Sequence, residues 1–266
     1  APYKNVVGYS TLVDEDGKKF SKTGPRKIYI EDMAAQYGTD VLRYTFASAN
    51  PTLDMRFGDS IAEDAKRRLL AIWNAYVFYT TYAMVDKPDV KNYQPENLAP
   101  IDLWLIQLTN QYIQATRTAY DEYKTHQVVK LTDDFVEDIS NYIRVNRRRY
   151  WKNGEDQDKM NAYWCLFHAL RSVVIAITPL VPSYAQYLWE NCFGEGEEPV
   201  MLSSYPTPIK LKGKDNKIDL LKDVNFVKQI ISLGLSLRSE NQIAIKQPLA
   251  KLYVKTDCVD IINVFS

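Results

Sequence analysis

Residues 101–123 read IDLWLIQLTNQYIQATRTAYDEY, and within them Ile101, Leu105, Leu108, Tyr112, Ala115, Ala119 and Tyr123 recur at intervals of three and four. That period predicts an α-helix with one apolar stripe, a face that has to be covered by other helices. Downstream, Val128, Leu131, Phe135, Ile139, Tyr142 and Tyr150 form a second stripe, with His126 near the junction. Met160, Tyr163, Trp164, Phe167, Leu170, Val174 and Ile177 form another, ended by Pro179 and Pro182, and Pro182 suits the first turn of a short helix over 183–191. Upstream, Ser60 and Glu63 stand at capping-box spacing. Ile61, Ala65, Leu69, Ile72 and Tyr76 then carry a long helix to about Met84, and three prolines make 86–100 a connection. The stripes are rich in Tyr and Trp, which core packing explains. The fold expected is mainly α, a helical bundle.

Smaller pieces flank the bundle. Val6, Val7, Tyr9, Thr11 and Val13 read as a strand that enters a turn at Asp14-Glu15-Asp16-Gly17. Met33 to Phe46 suggests two short helices hinged at Gly38, the second capped by Thr39 or Asp40. Glycine, proline, lysine and glutamate dominate the stretch from Phe193 to Lys217 and mark a linker or exposed loops. A helix over 220–240 follows, then strand-like runs at Ile243-Ala244-Ile245 and Leu252-Tyr253-Val254. The divisions expected are 1–57, 58–195, a linker over 196–219, and a small α+β piece from 220 to 266. Both ends look cut from something longer.

Across 266 residues, 33 Lys and Arg balance 33 Asp and Glu, so the whole-chain charge neither favours nor excludes a nucleic-acid partner, and any such site is local. Cys165, Cys192 and Cys258 lie far apart without C-x-x-C spacing. This suits buried thiols in a reducing cytosol better than zinc or disulfides. No uninterrupted apolar run is long enough to span a bilayer, so a soluble cytoplasmic protein is expected.

Two stretches carry candidate chemistry. Gly17-Lys18-Lys19-Phe20-Ser21-Lys22-Thr23-Gly24 sets lysines and hydroxyls between glycines. Backbone amides could approach an anion there while ammonium groups follow developing charge; the alternative is an ordinary solvated turn. Arg144, Arg147, Arg148, Arg149 and Lys152 interleave with Tyr150 and Trp151. Positions 144, 147, 148 and 151 or 152 share one helix face, where guanidinium groups and an aromatic ring would suit phosphates and unstacked bases of RNA. Alternatively Glu137, Asp138, Glu155 and Asp156 neutralise the arginines on a solvated face. Lys66, Arg67 and Arg68 read as solvated, Asp133-Asp134 and Glu197-Glu198 as caps and surface charge, and His168 as a core residue.

In their order along the chain these pieces resemble the C-terminal part of class I aminoacyl-tRNA synthetases, and most closely the isoleucyl-tRNA synthetases. Residues 19–23 resemble the K-M-S-K-S signature, with Phe20 where methionine is usual and Thr23 in place of the last serine; Pro25-Arg26 also departs from the family pattern. Tyr37-Gly38-Thr39-Asp40-Val41-Leu42-Arg43 resembles the Y-G-x-D-x-L-R continuation. Ser140-Asn141-Tyr142-Ile143 with Arg147 to Trp151, and Leu237-Arg238 through Gln247-Pro248-Leu249, resemble later family segments.

The resemblance implies an anticodon-binding bundle that holds the stem-loop of isoleucine tRNA through Arg144, Arg147, Arg148, Trp151 and Lys152. It implies that Lys22, assisted by Lys19, neutralises phosphate charge while isoleucine is adenylated, and that Lys19, Phe20, Ser21, Lys22 and Thr23 form the ATP-binding loop. ATP with Mg²⁺ would be held mainly by a catalytic domain that this chain does not contain, without zinc, in a monomer. No His-x-Gly-His occurs, so the chain alone is expected not to form the adenylate. The alternatives are a valine, leucine or methionine enzyme, a free-standing RNA-binding module, and a protein-interaction scaffold.

Overall fold

The computed structural model describes residues 2–20, 28–152, 154, 156–194, 198–211 and 220–255. The chain divides into two compact units, Ala1–Lys210 and Leu211–Ser266. In the first, β1 (Leu12–Val13) and β2 (Met55–Arg56) pair in parallel. Between them run α1 (Ile30–Tyr37) and α2 (Thr39–Ser48). Then come α3 (Asp59–Asp86), α4 (Pro100–Asp121), α5 (Thr125–Trp151), α6 (Gln157–Ile177) and α7 (Pro182–Leu188), followed by a π-helical turn at Trp189–Phe193. The second unit contains α8 (Leu221–Glu240).

The expected N-terminal strand is shorter than its sequence suggests. Val6, Val7 and Tyr9 are exposed, and only Leu12–Val13 have a strand partner among the described residues. Strand-forming residues without a neighbour to accept their ladder bonds stay outside a sheet. The same applies to 243–245 and 252–254, which belong to no strand. The hinge falls where expected: Gly38, at φ 86° in the left-handed region that favours glycine, separates α1 from α2. Tyr37, Leu42, Phe57 and Ala62 form a small core there, with Phe46 stacked on Phe57.

Two expected caps have other partners. Neither Thr39 nor Asp40 caps α2; the Asp40 carboxylate accepts the Tyr184 N–H instead. The Ser60–Glu63 box does not form either. Glu15, from the turn after β1, accepts both the Ser60 N–H (3.0 Å) and its hydroxyl (2.6 Å).

The long helices α3, α4, α5 and α6 pack together. Leu105, Tyr112 and Ala119 of the expected α4 stripe are buried, but the buried polar residues Asp102, Thr109 and Thr116 stand where Ile101, Leu108 and Ala115 were expected. Leu103, Trp104, Ile106 and Ile113 widen the buried face, and Tyr123 is exposed. Thr109 and Thr116 enter the core because each hydroxyl donates to the carbonyl four residues back, at 2.7 Å. Tyr112 stacks on Phe135 of α5 with ring centroids 4.5 Å apart. By length and composition α6 could cross a membrane although Asp158, Lys159 and Arg171 interrupt its apolar run, but it is mostly buried within the bundle.

Charged residues tie the helices. Arg149 of α5 meets Asp102 of α4 with two N–H···O bonds of 2.7 Å, and Tyr142 adds a third at 2.6 Å. Arg68, expected on the surface, pairs with Asp133 at 3.0 Å and lies 5.4 Å from the Tyr44 ring centroid. Asp133, expected as a helix-start charge, sits within α5 and also accepts the Tyr44 hydroxyl. Burial raises its pKa despite Arg68 and Tyr44, which oppose the rise. Lys159 of α6 reaches Asp86 at the end of α3 at 2.6 Å.

Asp102 has no exposed surface and the Arg149 side chain is 11% exposed. Arg149→Ala, which strands a buried carboxylate, should therefore cost about 3–5 kcal/mol in urea unfolding. Arg148→Ala, beside it but exposed, should stay within about 0.5 kcal/mol. His168, expected in the core, is half-buried and packs against Trp164 and Phe167. Burial, helped by Arg171, pushes its imidazole from 6.5 down to about 4. The unfolded chain takes up that proton first, so the contribution is whole above pH 6.5 and fades as pH falls through about 4. An NMR titration should place the His168 midpoint well below 6.5; a midpoint at the ordinary value contradicts its burial.

Candidate functional site

The lysine-bearing stretch leaves β1 through a tight turn. The Asp14 N–H donates to the Lys18 carbonyl (2.8 Å), the Gly17 N–H to the Asp14 carbonyl (3.0 Å), and the Lys18 N–H to Asp14 Oδ1 (2.7 Å). Gly17 takes φ 82°, which suits glycine. Lys19 bridges back to Val13 through its backbone, so the turn is anchored while the Lys18 and Lys19 side chains remain exposed. Phe20 is half-buried and lines a cavity with Ile28, Met33 and Phe57. Ser21, Lys22 and Thr23 lie outside the described residues.

Glu15 is the structural partner that sequence reasoning missed here, since it joins this turn to the first turn of α3. Glu15→Ala should cost about 1 kcal/mol, as loss of a helix cap does, and thermal unfolding checks it. An unchanged midpoint would mean that the contact adds nothing.

The arginine stretch occupies the last turns of α5. Arg144, Arg147 and Arg148 are exposed, and none of them is paired with a carboxylate among the described residues. Arg144 donates to Asn141 Oδ1 at 2.8 Å. The Arg147 guanidinium carbon lies 5.4 Å from the Trp151 ring centroid, and the Trp151 indole N–H donates to the Tyr82 hydroxyl of α3 at 2.6 Å. Trp151 is thereby held from α3 while 53% of its surface stays exposed. Cations and one fixed aromatic face thus occupy one surface, as contact with phosphates and an unstacked base requires.

Two members of the run differ. Arg149 turns inward to Asp102 and Asp158 and is structural. Burial alone would lower its pKa, but the bonds and charge of Asp102 raise it further. Lys152, just past α5, lies 3.4 Å from Asp158 and 3.7 Å from Asp156, so its charge is shared. Asp156 therefore neutralises Lys152 and not the arginines, and Glu155 lies outside the described residues. The signal for Arg149 was present in the sequence as Asp102, an acid inside an apolar period.

Residues 102–254 match the family model described as the anticodon-binding domain of tRNA ligase, more than half of the chain. The chain belongs to that family. Residues 1–58 of this anticodon-binding-domain protein match a second family, the class I tRNA synthetases for I, L, M and V. The isoleucine–tRNA ligase of Thermus thermophilus is 33% identical over 261 residues, 95% of this chain and 25% of the relative. That of Picrophilus torridus is 30% identical over 272 residues, 99% and 26%. The chain thus spans about a quarter of the length of the curated relatives it matches. The crystal structure of the LeuRS–tRNA–LeuAMS ternary complex of Agrobacterium radiobacter K84 shares the fold, with a TM-score of 0.60 at 13% identity over 75% of this chain and 23% of that one. The resemblance read from residues 19–23, 37–43, 140–151 and 237–249 is borne out, as is the mainly helical fold.

Proposed function

We propose that the chain is the stretch of an isoleucine–tRNA ligase that grips the anticodon stem-loop of isoleucine tRNA and supplies the loop acting on ATP. In the complete reaction the isoleucine carboxylate attacks the α-phosphate of ATP and pyrophosphate leaves; the isoleucyl group then passes to a tRNA hydroxyl as AMP leaves. Lys22 and Lys19 neutralise charge on the departing phosphates. Arg144, Arg147 and Arg148 meet backbone phosphates, Trp151 stacks a base, and Lys152 is a weaker contact because its carboxylate neighbours already share its charge. Residues 1–57 end the catalytic domain, 58–195 form the tRNA-binding bundle, and 220–266 begin a further subdomain. The same reading makes the enzyme a cytoplasmic monomer. Mg²⁺ comes with ATP and is held mainly by the catalytic domain.

What supports this reading most is the exposed face of Arg144, Arg147, Arg148 and Trp151, without paired carboxylates among the described residues, in a chain homologous to isoleucine–tRNA ligases over 95% of its length. Binding of isoleucine tRNA across a salt series tests it. Replacing Arg147 and Arg148 with alanine should weaken binding and flatten the log–log salt slope by roughly one to two units, while Lys152→Ala should change it least. Unchanged binding in the double variant would return the arginines to a solvated face and leave a helical protein-interaction scaffold as the better reading.

A further inference from the structure

The run 37–43 does more than form a hinge. Asp40 and Arg43 stand three residues apart in α2 and so project from one side of it. They meet the corner between α6 and α7, set by Pro179 and Pro182. There the turn between the end of α6 at Ile177 and the start of α7 presents the carbonyl oxygens of Pro179 and Leu180 outside either helix, and α7 begins on N–H groups without helical acceptors. Arg43 donates from Nε to the Leu180 carbonyl (2.9 Å) and from Nη2 to the Pro179 carbonyl (2.8 Å). Asp40 Oδ2 accepts the Tyr184 N–H at 2.6 Å, and no side chain of α7 caps its own first turn. The cation thus meets carbonyls of the turn, and the anion meets an N–H in the first turn of α7. Asp40 Oδ1 is buried without a partner, so this carboxylate is fixed by the corner and not by a neutralising side chain. Tyr184 in turn donates its hydroxyl to the Leu69 carbonyl of α3 at 2.9 Å.

We propose that Asp40 and Arg43 are positioning residues, which lock residues 2–20 and 28–57 onto the helices and so fix the separation between Lys19 and the arginine face of α5. The functional consequence rests on the synthetase reading above. Adenylate formation involves small molecules at the loop, whereas transfer to a tRNA held on α5 needs both regions at a set distance. Loosening the corner should therefore impair transfer and spare adenylate formation.

Nitroxide labels at Lys18→Cys and Val145→Cys, both exposed, would report that distance by pulsed EPR in the 266-residue chain with Cys192 and Cys258 changed to serine. Without further change the distribution should be single and narrow. With Asp40→Ala and Arg43→Ala it should broaden or shift at unchanged helix content, and Arg43→Lys should fall between. An unchanged distribution overturns the proposal. In the intact ligase the same pair should lower aminoacylation about ten- to a hundredfold and leave isoleucine-dependent ATP–pyrophosphate exchange nearly intact. Equal losses in both assays, in step with the melting temperature, would also overturn it. If the unmodified enzyme shows no isoleucine-dependent exchange, the synthetase reading fails, and the distance distribution alone decides whether the corner is locked.

Discussion

Asp102 sits in the first turn of α4 with no surface in contact with solvent. A carboxylate in that position is tolerable only when its charge is matched and its lone pairs are filled. Arg149 and Tyr142 do both. The consequence is geometric. Once Arg149 is committed inward, the helical period leaves Arg144, Arg147, Arg148 and Trp151 outward. The rotation of α5 about its axis, and with it the identity of the cations offered to a partner, follows from one buried pair. Tyr150 reinforces that rotation, since its ring is buried and its hydroxyl donates to the Ala162 carbonyl of α6.

The same combination of acid, cation and tyrosine recurs along the bundle. Asp133 with Arg68 and Tyr44 ties α5 to α3 and α2, and Asp86 with Lys159 and Tyr163 ties α3 to α6. Such pairs add little net stability over apolar residues of similar volume, because desolvation offsets their attraction. What they fix here is register, since a helix that slides or rotates strands a half-buried charge. The functional surfaces are attached to this frame by shorter polar contacts, Glu15 on Ser60 for the lysine turn and Tyr82 on Trp151 for the basic face.

Helix periods were legible from the sequence because apolar residues mark one face, and the hinge was legible because Gly38 needs a backbone that other residues disfavour. Local pattern could not supply partners. Ser60 and Glu63 had the spacing of a capping box, yet a carboxylate 45 positions away took the role. Val6 to Val13 had strand residues without a ladder to join beyond Leu12–Val13. The α4 face was misread by its threonines, whose hydroxyls are satisfied by their own helix and which therefore pack as apolar groups. Among the arginines, charge and spacing identified the cluster, but only Asp102, 47 positions away, separates Arg149 from its neighbours.

Hydrogen exchange of the arginine side chains in α5, resolved by NMR, tests that division most directly. Arg149 guanidinium protons should exchange slowly, held by Asp102, while those of Arg144, Arg147 and Arg148 exchange at the rate of free side chains. Arg149 exchanging as fast as the other three would contradict the account, because the Asp102 pair would then not set the rotation of α5 or the surface it presents.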